Sequence, residues 1–247
     1  MILNDLFPED TAGFAGALLL GDSRGLDYAT DTAFKISGIR HIIAVSGLHV
    51  SILFALICTV TLKHRYLTAL VGFPMLLVFA AVSGFTPSVI RACIMAFLMM
   101  MATVFNREYD PPTALAFAVL VMLLVNPMAA ASASLQLSAL CVTGILLFDR
   151  PIGNWVKRIL SGRKSWAAKL VRRICSGSSV SLSAMSLVTP LSAAYFGTVS
   201  LVSILTNVLT LWAVHLIFNG IVVTCILYLM SPAAAQVLAS VVSWLIR

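Results

Sequence analysis

The sequence predicts an all-α, polytopic transmembrane helical bundle of about seven or eight spans, and three observations carry that prediction. Apolar residues make up 60% of the chain and charged residues only 10%, whereas soluble domains carry roughly 45–50% and about 25%. The apolar residues fall in long runs rich in Leu, Ala, Val and Met, without the alternation of a barrel strand. And 247 residues accommodate about eight helices of the roughly 20 residues that a hydrocarbon core near 30 Å requires. A soluble globular protein is excluded, because so few polar residues cannot cover its surface.

Taken in order, residues 1–40 read as an outer-side amphipathic or extramembrane segment. It contains a short apolar stretch from Gly13 to Leu20, too short to span, and a polar helix between Leu26 and Ile36. No basic n-region precedes an apolar core at the N-terminus, so membrane insertion is expected to use internal spans. Residues 41–247 then read as a single membrane domain, with spans expected at 41–62, 67–83, 87–105, 113–131, 135–148, 178–197, 199–229 and 233–246. The 199–229 run is overlong for one crossing. It is expected to tilt or to be broken or re-entrant, with Asn207, His215, Asn219 and Gly220 as the places to break it.

Charge sets the expected topology. All nine acids lie at or before Asp149, while Arg150, Lys157, Arg158, Arg163, Lys164, Lys169, Arg172 and Arg173 form a basic run. The positive-inside rule places this segment, a loop at about 150–176, in the cytoplasm. Alternation then puts the Lys63-His64-Arg65 turn and the Asn106 to Pro112 turn on the same side, and the acid-rich first 40 residues outside. With Trp155 and Trp166, the basic segment also suits an interfacial helix drawn to anionic lipid or a surface for nucleic-acid phosphates. The five cysteines show no metal-ligand spacing and read as small buried residues. No metal, cofactor or GxxxxGK[ST] nucleotide loop is expected.

Four polar groups interrupt the apolar runs. Ser46, Gly47 and His49 stand in the first turns of a span, with Ser46 and His49 spaced i, i+3 on one helix face and Gly47 allowing close approach. One reading is local satisfaction of backbone groups; the other is a polar wall facing water or a bundle interior. In Thr86-Pro87-Ser88-Val89-Ile90-Arg91, Thr86 is placed to cap a helix that starts at Pro87, which puts Arg91 about one turn inside. Such an arginine either snorkels to the interface or lines a path for an anion. Ser134, Gln136 and Ser138 open a further span at alternate positions, and Asn207 lies deep in the overlong one. Both sets fit interhelical hydrogen bonding.

The runs HIIAVSGLHVSIL, GFTPSVIRACIM and SLQLSALCVTGI occur in that order, and together they resemble the ComEC competence family. The likeness extends to LLLGDSRGL, PPTALAFAVLVMLLVNP and YFGTVSLVSILTNVLTL, and so covers nearly the whole chain. The resemblance implies a channel in the bacterial inner (plasma) membrane through which single-stranded DNA enters during natural transformation. It implies as partners the single-stranded DNA, other DNA-uptake proteins including an ATP-driven motor, the lipid bilayer, and a second copy of the chain as a homodimer. The residues carried over onto the path are Ser46, Gly47, His49, Pro87, Ser88, Arg91, Gln136, Ser138 and Asn207. Full-length members also carry a soluble domain before the membrane domain and a metallo-β-lactamase-like domain after it. Neither is present in this sequence, which on that comparison reads as a fragment, a split protein or a degenerate copy with no enzymatic domain. Two other functions compete: transport of small anions or metabolites, and an intramembrane serine hydrolase built on Ser46 with His49, His215 or His41 as base.

Overall fold

The computed structural model describes residues 6–21, 32, 46–160, 166–197 and 202–246. Among these, every regular element is a helix. The polar helix expected between Leu26 and Ile36 falls outside the described residues except for Thr32, as do residues 41–45 at the start of the first expected span.

Helix α1, Glu9–Leu20, follows Pro8 and ends at Gly21, whose positive φ of 74° lets its N–H close back onto the Ala17 carbonyl. Helices α2 (Gly47–Val60), α3 (Arg65–Val82) and α4 (Pro87–Val104) follow through short turns. At the first turn Thr61 and Thr68 share a hydrogen bond of 2.7 Å, and the Arg65 guanidinium donates to the Asn106 side-chain carbonyl. At the second, Gly84 takes φ +70° and the Phe85 N–H reaches back to the Ala80 carbonyl. Helix α5, Pro111–Val125, is capped by the Asp110 carboxylate, which accepts from the Thr113 N–H at 3.1 Å.

The expected span 113–131 is not one helix. Pro127 has no N–H to continue α5 and drives Asn126 into an extended conformation, so residues Pro127–Ala131 form a separate 3₁₀ turn. The Asn126 side chain accepts from the Met128 N–H at 3.1 Å and completes the break. Helix α6 then runs over Ala133–Leu160 and α7 over Trp166–Phe196, both much longer than the expected 135–148 and 178–197. The basic segment is therefore helical up to Leu160 and again from Trp166. Helix α8, Val202–Met230, is unbroken through Asn207, His215, Asn219 and Gly220. It holds no proline, and a lone glycine costs a helix only about 1 kcal/mol, so the expected break does not form. Helix α9, Pro232–Ile246, closes the chain.

Seven of the eight expected spans thus overlap a single helix, and the eighth, 113–131, is divided between α5 and the 3₁₀ turn. By length and composition, four stretches among the described residues suffice to cross a membrane: Arg65–Val82, Pro87–Val104, Ala133–Trp155 and Ala213–Met230. The apolar helices at Gly47–Val60, Pro111–Val125 and Pro232–Ile246 are shorter.

The chain divides into two compact units. The first comprises Met1–Tyr109 with Thr210–Arg247, the second Asp110–Leu209. In the first, Leu18, Leu53, Val89, Met100, Phe218 and Ile221 are fully or almost fully buried. Helix α1 contributes Ala15 and Leu18 to that core, and its Thr11 hydroxyl lies 3.4 Å from that of Ser243 on α9. Where lipid is as apolar as the side chains, close packing of small residues replaces the hydrophobic effect as the cohesive term. Gly220 shows it: a Cβ there would sit 2.7 Å from Val242.

In the second unit α6 and α7 pack along their lengths as an antiparallel pair. Gly144 of α6 lies directly on the Ser183 carbonyl of α7, leaving no space for a Cβ. The Ser179 hydroxyl donates to the Asp149 carboxylate at 3.0 Å, and the Tyr195 hydroxyl donates to the Gln136 side-chain carbonyl at 2.8 Å.

Candidate functional site

The first polar group forms at the start of α2. Ser46 is extended (φ −133°, ψ 175°) and is the residue on which the helix begins. Its N–H donates to His49 Nδ1 at 3.1 Å, and its hydroxyl lies 3.3 Å from the same nitrogen. This is a capping box in which histidine replaces the usual Glu or Gln at the third helical position. Because Nδ1 accepts from a backbone N–H, the neutral ring carries its proton on Nε2. His49 is fully buried, its ring edge-on to Phe218 with centroids 4.9 Å apart, and Nε2 has no hydrogen-bond partner.

Arg91 comes to the same helix end from α4. It is buried, at 4% exposure, so its guanidinium turns into the unit and does not snorkel. Nη1 lies 3.4 Å from Met95 Sδ, and Nη2 lies against Gly47, where an added Cβ would stand 3.1 Å from it. A Cβ at 47 would press on the guanidinium, which would have to give by a few tenths of an ångström. The N-terminal turn of a helix already bears about half a positive charge, so Arg91 adds a full charge to a place that is positive without it. Beside it, Pro87 opens α4 and the Ser88 carbonyl lies 4.0 Å from the same Cβ position. Thr86 does not cap as expected: its hydroxyl makes no cap hydrogen bond and is buried without a partner.

Six of the nine path residues, Ser46, Gly47, His49, Pro87, Ser88 and Arg91, therefore meet at one place in the first unit. Ser46, Gly47, Pro87 and Ser88 are half-buried and form its more accessible part. Gln136 and Ser138 belong to the second unit, where Gln136 is held between the Tyr195 hydroxyl and the Ala130 carbonyl, each at 2.8 Å. Asn207 lies on α8, and its side chain is outside the described residues, as is His41. His215 is exposed.

Sequence reasoning missed three contributors. Phe218 and Met95 carry no polar signal, and Tyr195 is one aromatic among many in apolar sequence. Asn219, whose side-chain oxygen is buried without a partner, entered the sequence reading only as a place where the overlong run could break. Among the described residues no three His, Cys, Asp or Glu side chains come close enough to hold a metal ion.

Comparison with known proteins gives this helical, polar-centred chain its class. The Competence protein family model matches residues 18–247, and the chain belongs to that family. Relatives include ComE operon protein 3 of Bacillus subtilis, 30% identical over 64% of this chain and 20% of its own length. Recombination protein 2 of Haemophilus influenzae is 25% identical over 64% of this chain and 22% of its own length. An uncharacterized protein of Aquifex aeolicus is 31% identical over 71% of this chain and 41% of its own. The chain thus spans about a fifth to two fifths of the length of these relatives. No solved structure matches it.

Proposed function

We propose that this chain is the membrane channel part of a DNA-uptake apparatus, passing single-stranded DNA across the bacterial inner membrane during natural transformation. The observation that carries the reading is the meeting of Arg91 with Gly47 at the start of α2, in a chain that belongs to the competence family. A strand of DNA presents one phosphate per nucleotide, so its path needs positive potential without acidic groups to oppose it. Helix α2 and Arg91 supply that potential from behind, and half-buried Ser46, Gly47, Pro87 and Ser88 present the wall that a strand would meet. The absence of acidic residues after Asp149 extends the same bias along the rest of the chain.

Pulling the strand requires energy that this chain has no nucleotide loop to harvest, so an ATP-driven motor and other uptake proteins act as partners. The chain itself is proposed to be non-enzymatic. The lone pair of His49 Nδ1 is taken by the Ser46 backbone N–H, and the ring is buried, so His49 is poorly placed to activate the Ser46 hydroxyl. A serine-directed fluorophosphonate that labels Ser46 would overturn this part.

The same helix end also suits a single small anion, and this keeps anion transport as the second reading. Thermal melting of the purified chain separates the two. Stabilisation by a single-stranded oligonucleotide, lost in Arg91→Gln, supports the DNA path. Stabilisation by phosphate or sulfate alone supports the small-anion reading.

A further inference from the structure

Helices α2 and α4 stop in the same way. Past the last turn of each, one residue takes the left-handed conformation, Leu62 with φ 51° and Asn106 with φ 52°. The next N–H then closes back onto the helix: Lys63 onto the Cys58 carbonyl and Arg107 onto the Ala102 carbonyl, each at 2.8 Å. This capping pattern sets a cation at the second position beyond each helix. The Arg65 guanidinium ties the two turns together, donating to the Asn106 side-chain carbonyl while lying over the Tyr66 ring at 4.9 Å. Lys63 and Arg107 therefore stand within two residues of the ends of one hydrogen bond. Both are exposed, and among the described residues neither forms an ion pair. The group holds three cations against one acid, Glu108.

The apolar neighbours of these cations are as unusual as the charge. Asparagine enters the left-handed region at little cost, and leucine does not. Leu62 is nevertheless 88% exposed, so no packing within the protein offsets its conformation, and Phe105 at the end of α4 is 70% exposed. Helices α3 and α4, which meet at these turns, are both apolar enough to cross a membrane, and each has 18 residues. At 1.5 Å per residue that is about 27 Å, a few ångström short of a hydrocarbon core of roughly 30 Å. The turns complete the crossing: Leu62 and Phe105 fall at the edge of the acyl region, and Lys63 and Arg107 at the level of the lipid phosphates.

We propose that the paired turns at this end of α2, α3 and α4 bind an anionic phospholipid, with its phosphate between Lys63 and Arg107 and its acyl chains against Leu62 and Phe105. A topology signal needs only positive residues somewhere in a loop. Here a hydrogen bond between two turns holds the cations together, and each follows an exposed apolar side chain by one or two residues. A nucleic acid would satisfy the cations but leave Leu62 in water; an amphiphile covers both. The proposal rests on α3 and α4 crossing the membrane and is independent of what passes through the chain.

The test uses the full chain purified in detergent, comparing wild type with Lys63→Gln/Arg107→Gln, both at exposed positions. Phosphatidylglycerol, phosphatidylcholine or inorganic phosphate is titrated in, and bound molecules are counted by native mass spectrometry. Wild type is expected to prefer phosphatidylglycerol. One cation near an anionic headgroup is worth about fivefold in binding, so the double variant should bind phosphatidylglycerol about 25-fold more weakly, with phosphatidylcholine unchanged. The basic run from Arg150 to Arg173 is intact in that variant, so an undiminished preference belongs there and overturns the proposal. Inorganic phosphate that displaces phosphatidylglycerol from wild type at equal concentration also overturns it, as does a variant that loses a single-stranded oligonucleotide while keeping the lipid. If the double variant does not fold, Arg107→Gln alone carries the same test at about fivefold. Leu62→Gly suits the left-handed turn and should weaken the binding of both lipids; unchanged binding contradicts the acyl-chain contact. Failure of the membrane crossing itself is separately visible, as release of wild-type chain from cell membranes by alkaline carbonate.

Discussion

The two units solve one problem, polar groups inside an apolar chain, in opposite ways. At the start of α2 the first unit concentrates them: a capping box, a buried guanidinium and the glycine where the two meet. Along α6 and α7 the second unit distributes them, one hydrogen bond or one close backbone approach at a time, from Gln136–Tyr195 through Gly144–Ser183 to Asp149–Ser179. Distributed contacts hold helices together and tolerate the loss of any one. A concentrated cluster contributes less to cohesion, because desolvating a charge opposes its gains, but it creates local potential. The difference teaches where to look for function and where for stability.

The largest stability effect is expected at Gly144. Its missing Cβ is the space occupied by the Ser183 carbonyl, and backbone cannot step aside as a side-chain tip can. Gly144→Ala should cost about 3 kcal/mol by overpacking, read as a lower melting midpoint in detergent. An unchanged midpoint would mean that α6 and α7 are not this close.

Arg91→Gln should show the reverse pattern. Membrane insertion is expected to hold, since glutamine keeps a hydrogen-bonding head in the same place without the charge, while DNA uptake falls. Arg91→Lys keeps the charge but not the planar fork and should recover part of the uptake. A variant that fails to insert would move Arg91 from function to folding.

How much of this contrast was legible in the sequence follows from the range of each interaction. The Ser46–His49 capping box is local, and its i, i+3 spacing was readable, as was Pro87 at the start of α4. The approach of Arg91 to Gly47 is tertiary. The sequence offered only a glycine and an arginine 44 positions apart, with snorkelling as a fair alternative. The break at Asn126–Pro127 was carried by the proline, but uniformly apolar flanks hid it within one expected span. The basic segment was read as a loop because charge rather than helical period dominated it.

Smaller effects sharpen the comparison. His49→Ala removes the acceptor for the Ser46 N–H and should cost about 1 kcal/mol, the usual worth of a helix cap; His49→Gln, which can rebuild the box, should recover most of it. Equal losses in the two variants would show that packing against Phe218 matters more than capping. Smallest of all, Tyr195→Phe should cost about 0.6 kcal/mol, typical of an interhelical hydrogen bond in a membrane protein. A double-mutant cycle with Gln136→Leu should return a coupling of the same size.

The most direct test of the central claim is transformation frequency in a competent host lacking its own channel, complemented by this chain with the flanking soluble domains supplied separately. Wild type is expected to restore transformation. Arg91→Gln, inserted to the same level, should lower it by about tenfold or more, the effect of losing roughly 1.4 kcal/mol of interaction. Restoration that is indifferent to Arg91 would contradict the claim that the start of α2 lies on the path of the strand.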